Sequence, residues 1–187
     1  MAEADASDTR VAVIGVLQLV LLVLTAIAFL MWLHRSYADL RSAGFALRWS
    51  PGWAVGWWFI PVMCLFRPYQ VMADLWRASG PGATPDNWRA QPGTSLLGWW
   101  WAAFLMGSFI GQQAAKLGFS SDTSLDGLKA MTATSMAGEA IWALGGILAV
   151  ILVWQIRSRL GAKALSQGDD VADRRQLDAS PISPETA

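Results

Sequence analysis

The chain is short of the residues from which most active sites are assembled. It has one cysteine, Cys64, so no internal disulfide forms and no several-thiolate zinc site can be built from one chain. Cys64 stands between Met63 and Leu65 in an apolar run and reads as a small hydrophobe. There is also one histidine, His34, which leaves a histidine-rich metal site and a Ser-His-Asp hydrolase poorly supplied. No GxxxxGK phosphate loop, no dinucleotide fingerprint behind a strand and no HExxH occurs. These shortages argue against an enzyme and imply no cofactor and no metal. Charge is scarce too: 15% of the 187 residues are charged, where a soluble domain carries about 25%. The formal net charge is zero, which removes any bulk electrostatic case for nucleic acid.

What is present is apolar, at 54% of the chain, and the charges fall between long uncharged blocks. Residues 11–33 hold no charge, and a helix needs about 20 residues to cross the hydrocarbon layer. The ten residues before them are polar and acidic, unlike the basic start of a cleaved signal, so the expectation is an uncleaved first span. The helix is expected to run on past Leu33 to Gly44, a natural stop, with Tyr37 and Leu40 on one face and Arg35 and Arg41 reaching headgroups.

Residues 49–66 are apolar but short, and carry Pro51, Gly52, Gly56 and Pro61. Pro61 removes a backbone donor and disfavours helix at Ile60. With Trp49, Trp53, Trp57 and Trp58 crowding its first half, the segment reads as a re-entrant or half-inserted element; a full span is the alternative. Pro68 suits the start of a helix. That helix, through Ser79, sets Tyr69, Met72 and Trp76, beside Val71 and Leu75, against Gln70, Asp74 and Arg77, the pattern of an interfacial helix lying on the membrane surface. Residues 80–95 are a Pro/Gly-rich loop. The next span begins at about Thr94 or Ser95 and runs to Ala115, and the last occupies residues 130–156.

The fold class expected is therefore all-α: a helical integral membrane protein with three full spans plus the Trp-rich element and the interfacial helix, or four full spans. Residues 1–10 form a polar tail, 11–160 the membrane domain and 161–187 a disordered polar tail. The positive-inside rule favours three spans. That model places eleven basic residues on the tail's side and three opposite, whereas four spans split them nine to five. It sets the N-terminus outside and the C-terminus in the cytoplasm.

Ala103, Gly107, Gly111 and Ala115 recur every fourth residue and form a small-residue stripe on which another helix can pack closely. The last span offers Thr134, Gly138 and Gly146 in return; a second copy of the chain is the other occupant. Glu139 is the one charged residue inside an apolar span, near its boundary, where it meets water or bonds Gln112 or Gln113; ion or proton traffic is the functional alternative. The twelve tryptophans read mainly as an interfacial belt, with a cation-binding cage as the rarer use.

The run Arg48-Trp49-Ser50-Pro51-Gly52-Trp53-Ala54-Val55-Gly56-Trp57-Trp58-Phe59-Ile60-Pro61, followed by Arg67-Pro68-Tyr69-Gln70-Val71-Met72 and Leu75-Trp76-Arg77-Ala78-Ser79, resembles bacterial membrane proteins grouped as domain of unknown function 4328. Trp32-Leu33-His34-Arg35 and Leu97-Gly98-Trp99-Trp100-Trp101 match the same pattern. The resemblance implies a multi-pass protein of the bacterial plasma membrane and no particular activity. It draws attention to Arg67, Pro68, Tyr69 and Gln70. The expected function is a non-enzymatic membrane interaction or scaffold protein, whose partners are the lipid bilayer and a membrane protein or further copies of itself. The alternative is an oligomeric small-solute transporter or channel subunit, with Glu139 supplying charge.

Overall fold

A computed structural model describes residues 2–118 and 125–179. Among these, five α-helices and no strand make up the regular structure: α1 (Ala2–Ser42), α2 (Pro51–Gly56), α3 (Arg67–Ala78), α4 (Ser95–Gly118) and α5 (Leu125–Ala179). The chain divides into two units, Met1–Val71 and Met72–Ala187.

In the first unit α1 has two characters. Its apolar stretch is exposed all round, from Val11 at 68% to Leu22 at 62%. About one turn beyond Phe29 the same helix turns inward, and Leu33, Ser36, Tyr37 and Leu40 are buried. These positions recur at three and four, so they form one face. Gly44, at φ +88°, ends the helix where glycine alone enters the left-handed region cheaply. The Phe45 amide then bonds back to the Leu40 carbonyl, and Arg41 Nη1 donates to the Trp49 carbonyl at 3.1 Å, closing the turn into the Trp-rich segment.

That segment contains no spanning helix. Ser50 caps α2, accepting from the Trp53 amide at 3.4 Å, and Pro51 takes the first helical position where its missing N–H costs nothing. After six residues α2 gives way to successive turns and a short 3₁₀ turn over Met63–Leu65. Between them the Met63 amide bonds the Pro61 carbonyl at 2.8 Å around Val62, whose φ is +68° and ψ −47°. This is a γ-turn of the positive-φ kind, strained for a β-branched residue. The four-span alternative is thereby corrected: Pro61 has no amide to donate, and the backbone leaves the helix just ahead of it.

Among the described residues two helices are long and apolar enough to cross a membrane, over Thr9–Ser42 and Leu125–Ser166. The expectation of three full spans is met by these two alone. Helix α4 has 24 residues, but Trp99, Trp100, Trp101, Gln112 and Gln113 dilute its apolar character. Its start is where the sequence placed it, with the Leu96 amide donating to Thr94 Oγ1 at 3.2 Å.

Helix α3 departs from the interfacial reading. Val71 belongs to the first unit and is fully buried. In the second unit Met72, Leu75, Trp76 and Ala78 are buried, and so is Asp74 at 1% exposure, although it was assigned to a water-facing side. The polar side of the helix is therefore partly covered: Asp74 is buried, while Gln70 and Arg77 are half-buried. The second unit also buries Trp88, Leu97, Trp100, Leu152 and Ile156.

The disordered tail is a further correction for residues 161–179, which continue α5 as helix. Their composition is polar but rich in Ala, Leu, Lys, Arg and Gln, good helix formers, with no proline before Pro181. Lys163 is tied down there: its Nζ donates to the Ala78 carbonyl at 2.7 Å and the Ala83 carbonyl at 2.8 Å. Residues 119–124, between α4 and α5, and residues 180–187, with Ser180-Pro181 and Ser183-Pro184, lie outside the described residues.

Candidate interaction site

The residues singled out at 67–70 meet the Trp-rich segment within the first unit. Helix α2 sets Trp53 and Trp57 one turn apart, with ring centroids 4.8 Å from each other, and Trp49 just ahead of the helix closes on Trp57 at 5.2 Å, edge to face. Helix α3 begins with Arg67, whose guanidinium carbon lies 4.8 Å from the Trp49 ring centre and 5.3 Å from that of Trp57. Both distances are within the range of cation–π attraction, which indoles supply best.

One turn along α3, Gln70 fixes the other side of the guanidinium. Arg67 Nη1 donates to Gln70 Oε1 at 3.0 Å, and Arg48 Nη1 reaches the same oxygen at 3.5 Å. Two positive groups therefore converge on one neutral amide and a wall of indoles. A planar, delocalised cation tolerates this partly dry setting better than an ammonium would. Trp49 Nε1 and Trp57 Nε1 are buried without a hydrogen-bond acceptor.

The four residues thus divide. Arg67 and Gln70 are joined to the tryptophan wall, Pro68 is buried as a helix starter, and Tyr69, 36% exposed, is the member that faces outward. Arg48, which the sequence reading did not single out, is exposed beside them. The belt reading of the tryptophans gives these rings a lipid-headgroup neighbour, and the cage reading a foreign cation. Here those faces carry the protein's own Arg67. The recurrence of Trp at 49, 53 and 57, every fourth residue, was the available signal, since it stacks the rings on one side.

The small-residue stripe has two halves. Ala103 is buried against Gly145 of α5, with a Cβ on Gly145 falling 3.6 Å from that of Ala103. At Gly107 an added Cβ would sit 2.9 Å from Trp142 Cδ1, so only glycine admits that ring, which also packs edge to face on Phe104 at 5.3 Å. Gly138 is close to Ile110, at 3.2 Å for an added Cβ. Gly111 and Ala115 are exposed, and Gly146 has open space around it. The facing residues on α5 are thus Gly138, Trp142 and Gly145, at helical spacing.

Glu139 lies exposed on α5 and makes no hydrogen bond with Gln112 or Gln113 among the described residues. No group of three or more His, Cys, Asp or Glu able to hold a metal occurs among the described residues. What the site offers chemically is a held positive charge with aromatic walls.

The family model described as Domain of unknown function (DUF4328) matches residues 1–158, most of the chain, and the chain belongs to this family. No curated protein and no solved structure matches it.

Proposed function

We propose that this member of the family is a multi-pass protein of the bacterial plasma membrane that acts by binding rather than by catalysis. In this reading α1, α4 and α5 cross the bilayer, the Trp-rich segment enters it part-way, the N-terminus is outside and the C-terminus is cytoplasmic. The exposed, all-round apolar surface of α1 supports it, since such a helix is stable only where lipid or protein covers it. So do the basic residues gathered between residues 34 and 93, which suit a cytoplasmic face.

The observation that carries the reading is the Arg67 clamp, a guanidinium fixed on Trp49, Trp57 and Gln70 with Arg48 and Tyr69 presented beside it. It is a recognition surface for an anionic or aromatic group of a membrane-protein partner. The transporter alternative gains no support from Glu139, which belongs to no cluster of three or more His, Cys, Asp or Glu among the described residues.

The test is purification of the tagged protein from native membranes after light crosslinking, comparing the native chain with Arg48→Glu. A stoichiometric second protein, lost from Arg48→Glu while the helical spectrum is kept, bears the reading out. Recovery of the chain alone as a defined oligomer counts against it and raises the transporter reading, with solute flux through Glu139→Gln as the following measurement. Topology has its own check. With Cys64 replaced by Ala, cysteines at Ser42 and Thr84 are expected to label from the same, cytoplasmic side; labelling from opposite sides ends the half-inserted model.

A further inference from the structure

A second concentration of positive charge lies within the second unit, far in sequence from the Arg67 clamp. Where the apolar run of α5 ends, Arg159 and Lys163 follow one turn apart and so lie on one face. Both line a cleft of about 270 Å³, bounded on its other side by the Gly80-Pro81-Gly82 turn, and no acidic side chain lines it among the described residues.

Each cation is held in place, and held differently. The Arg159 guanidinium lies over the Trp76 ring with its carbon 3.8 Å from the ring centre. Stacking uses the face of the guanidinium and leaves its N–H edge available. Arg159 makes no hydrogen bond with another described residue. Lys163 is anchored by the carbonyls of Ala78, the last residue of α3, and Ala83, so its charge stays on the cleft wall. The Ser79 and Ser166 hydroxyls that line the cleft donate to the carbonyls of Trp76 and Lys163, so their protons are used within the chain's own backbone. The remaining lining, Gly80, Pro81, Gly82 and Ala162, is carbon-rich and close to the backbone.

We propose that this cleft binds a phosphate group, with Arg159 as the planar, hydrogen-bonding partner and Lys163 as the fixed point charge. Guanidinium forks match phosphate oxygens, and an ammonium beside one balances the second negative charge. The phosphate comes either from an anionic lipid headgroup or from a soluble phosphoester. The headgroup source rests on the orientation proposed above, which puts Arg159 and Lys163 at the cytoplasmic boundary of the last span; the soluble source does not depend on it.

The experiment uses the full chain in two arms. In neutral detergent, inorganic phosphate and glycerol 3-phosphate are titrated by calorimetry. In nanodiscs of phosphatidylcholine with and without phosphatidylglycerol, retained phosphatidylglycerol is read by native mass spectrometry after re-extraction. Arg159→Gln is expected to weaken binding by about tenfold or more in whichever arm shows it, as loss of a charged hydrogen bond does. Arg157→Gln removes the same charge from an exposed position outside the cleft and is expected to change binding by less than about twofold, the scale of a screened surface charge. Lys163→Gln is the second variant, with circular dichroism checking that α5 survives loss of its anchor. Lipid retention without uptake of the soluble phosphates supports a headgroup site. Uptake of the soluble phosphates without lipid preference supports a phosphoester site and counts against the headgroup source alone. Equal losses in Arg157→Gln and Arg159→Gln, or no binding in either arm, overturn the proposal. Because the cysteine-labelling topology is measured independently, failure of this site and failure of the membrane reading remain distinct.

Discussion

The outer and inner parts of α1 belong to one helix and live in opposite environments. Residues 11–24 are the most uniformly apolar stretch of the protein and are exposed; residues 33–40, which include His34, Arg35, Ser36 and Asp39, carry the buried face. The same inversion separates α1 from α3. Asp74 in α3 is 1% exposed while Val11 in α1 is 68% exposed. In a soluble protein apolarity and burial rise together. On the membrane reading proposed above, the segments with mixed composition form the interior of each unit because a stretch that is apolar on all sides has no face that distinguishes protein from lipid, whereas a segment with polar groups must satisfy them against its own chain.

The contrast is most sharply tested by matched truncations. Leu75→Ala empties a fully buried site and is expected to cost about 2–5 kcal/mol, while Leu22→Ala, exposed on α1, is expected to stay within about 0.5 kcal/mol. Denaturant titration in micelles measures both, and similar losses for the two would dissolve the distinction between the halves. The next effect lies between the halves of the small-residue stripe. Gly107→Ala pushes against Trp142 and should destabilise by about 1–3 kcal/mol. Gly111→Ala meets open space and should be neutral or stabilising by up to about 1 kcal/mol, from helix propensity. Thermal unfolding of the two variants reads the sign of each.

Smaller effects sharpen the picture of the Trp-rich segment. Arg67→Lys keeps the charge but loses the flat stacking on Trp49 and Trp57, and is expected to cost about 1 kcal/mol, with a change in tryptophan emission reporting the freed rings. Val62→Gly relieves a β-branched residue of its positive φ and is expected to stabilise by about 1 kcal/mol, observed as a raised melting temperature; a lowered one would mean that the side chain's contacts outweigh the turn's strain.

Much of the fold was legible because its signals are local. Gly44 ends α1, Thr94 caps α4 and Pro61 interrupts the Trp-rich stretch, and each acts through the backbone of residues within a few positions. The site was legible in part for the same reason. Arg67 and Gln70 are one turn apart, and their hydrogen bond follows from that spacing. Their tryptophan wall comes from ten and eighteen residues upstream, past a segment with no regular period from which to project a direction.

The sequence alone determined that the chain is helical, where α1 stops and α4 starts, and that its middle segment is broken, since glycine, proline and capping residues act on the backbone beside them. Only the tertiary structure decided that Trp49 and Trp57 receive Arg67 within the first unit. Within the second, it decided that Asp74 is interior and that Lys163 belongs to an anchored helix rather than a loose tail. Burial, stacking and long-range hydrogen bonds depend on which distant residues the folded chain brings near, and no spacing along the chain encodes that neighbourhood.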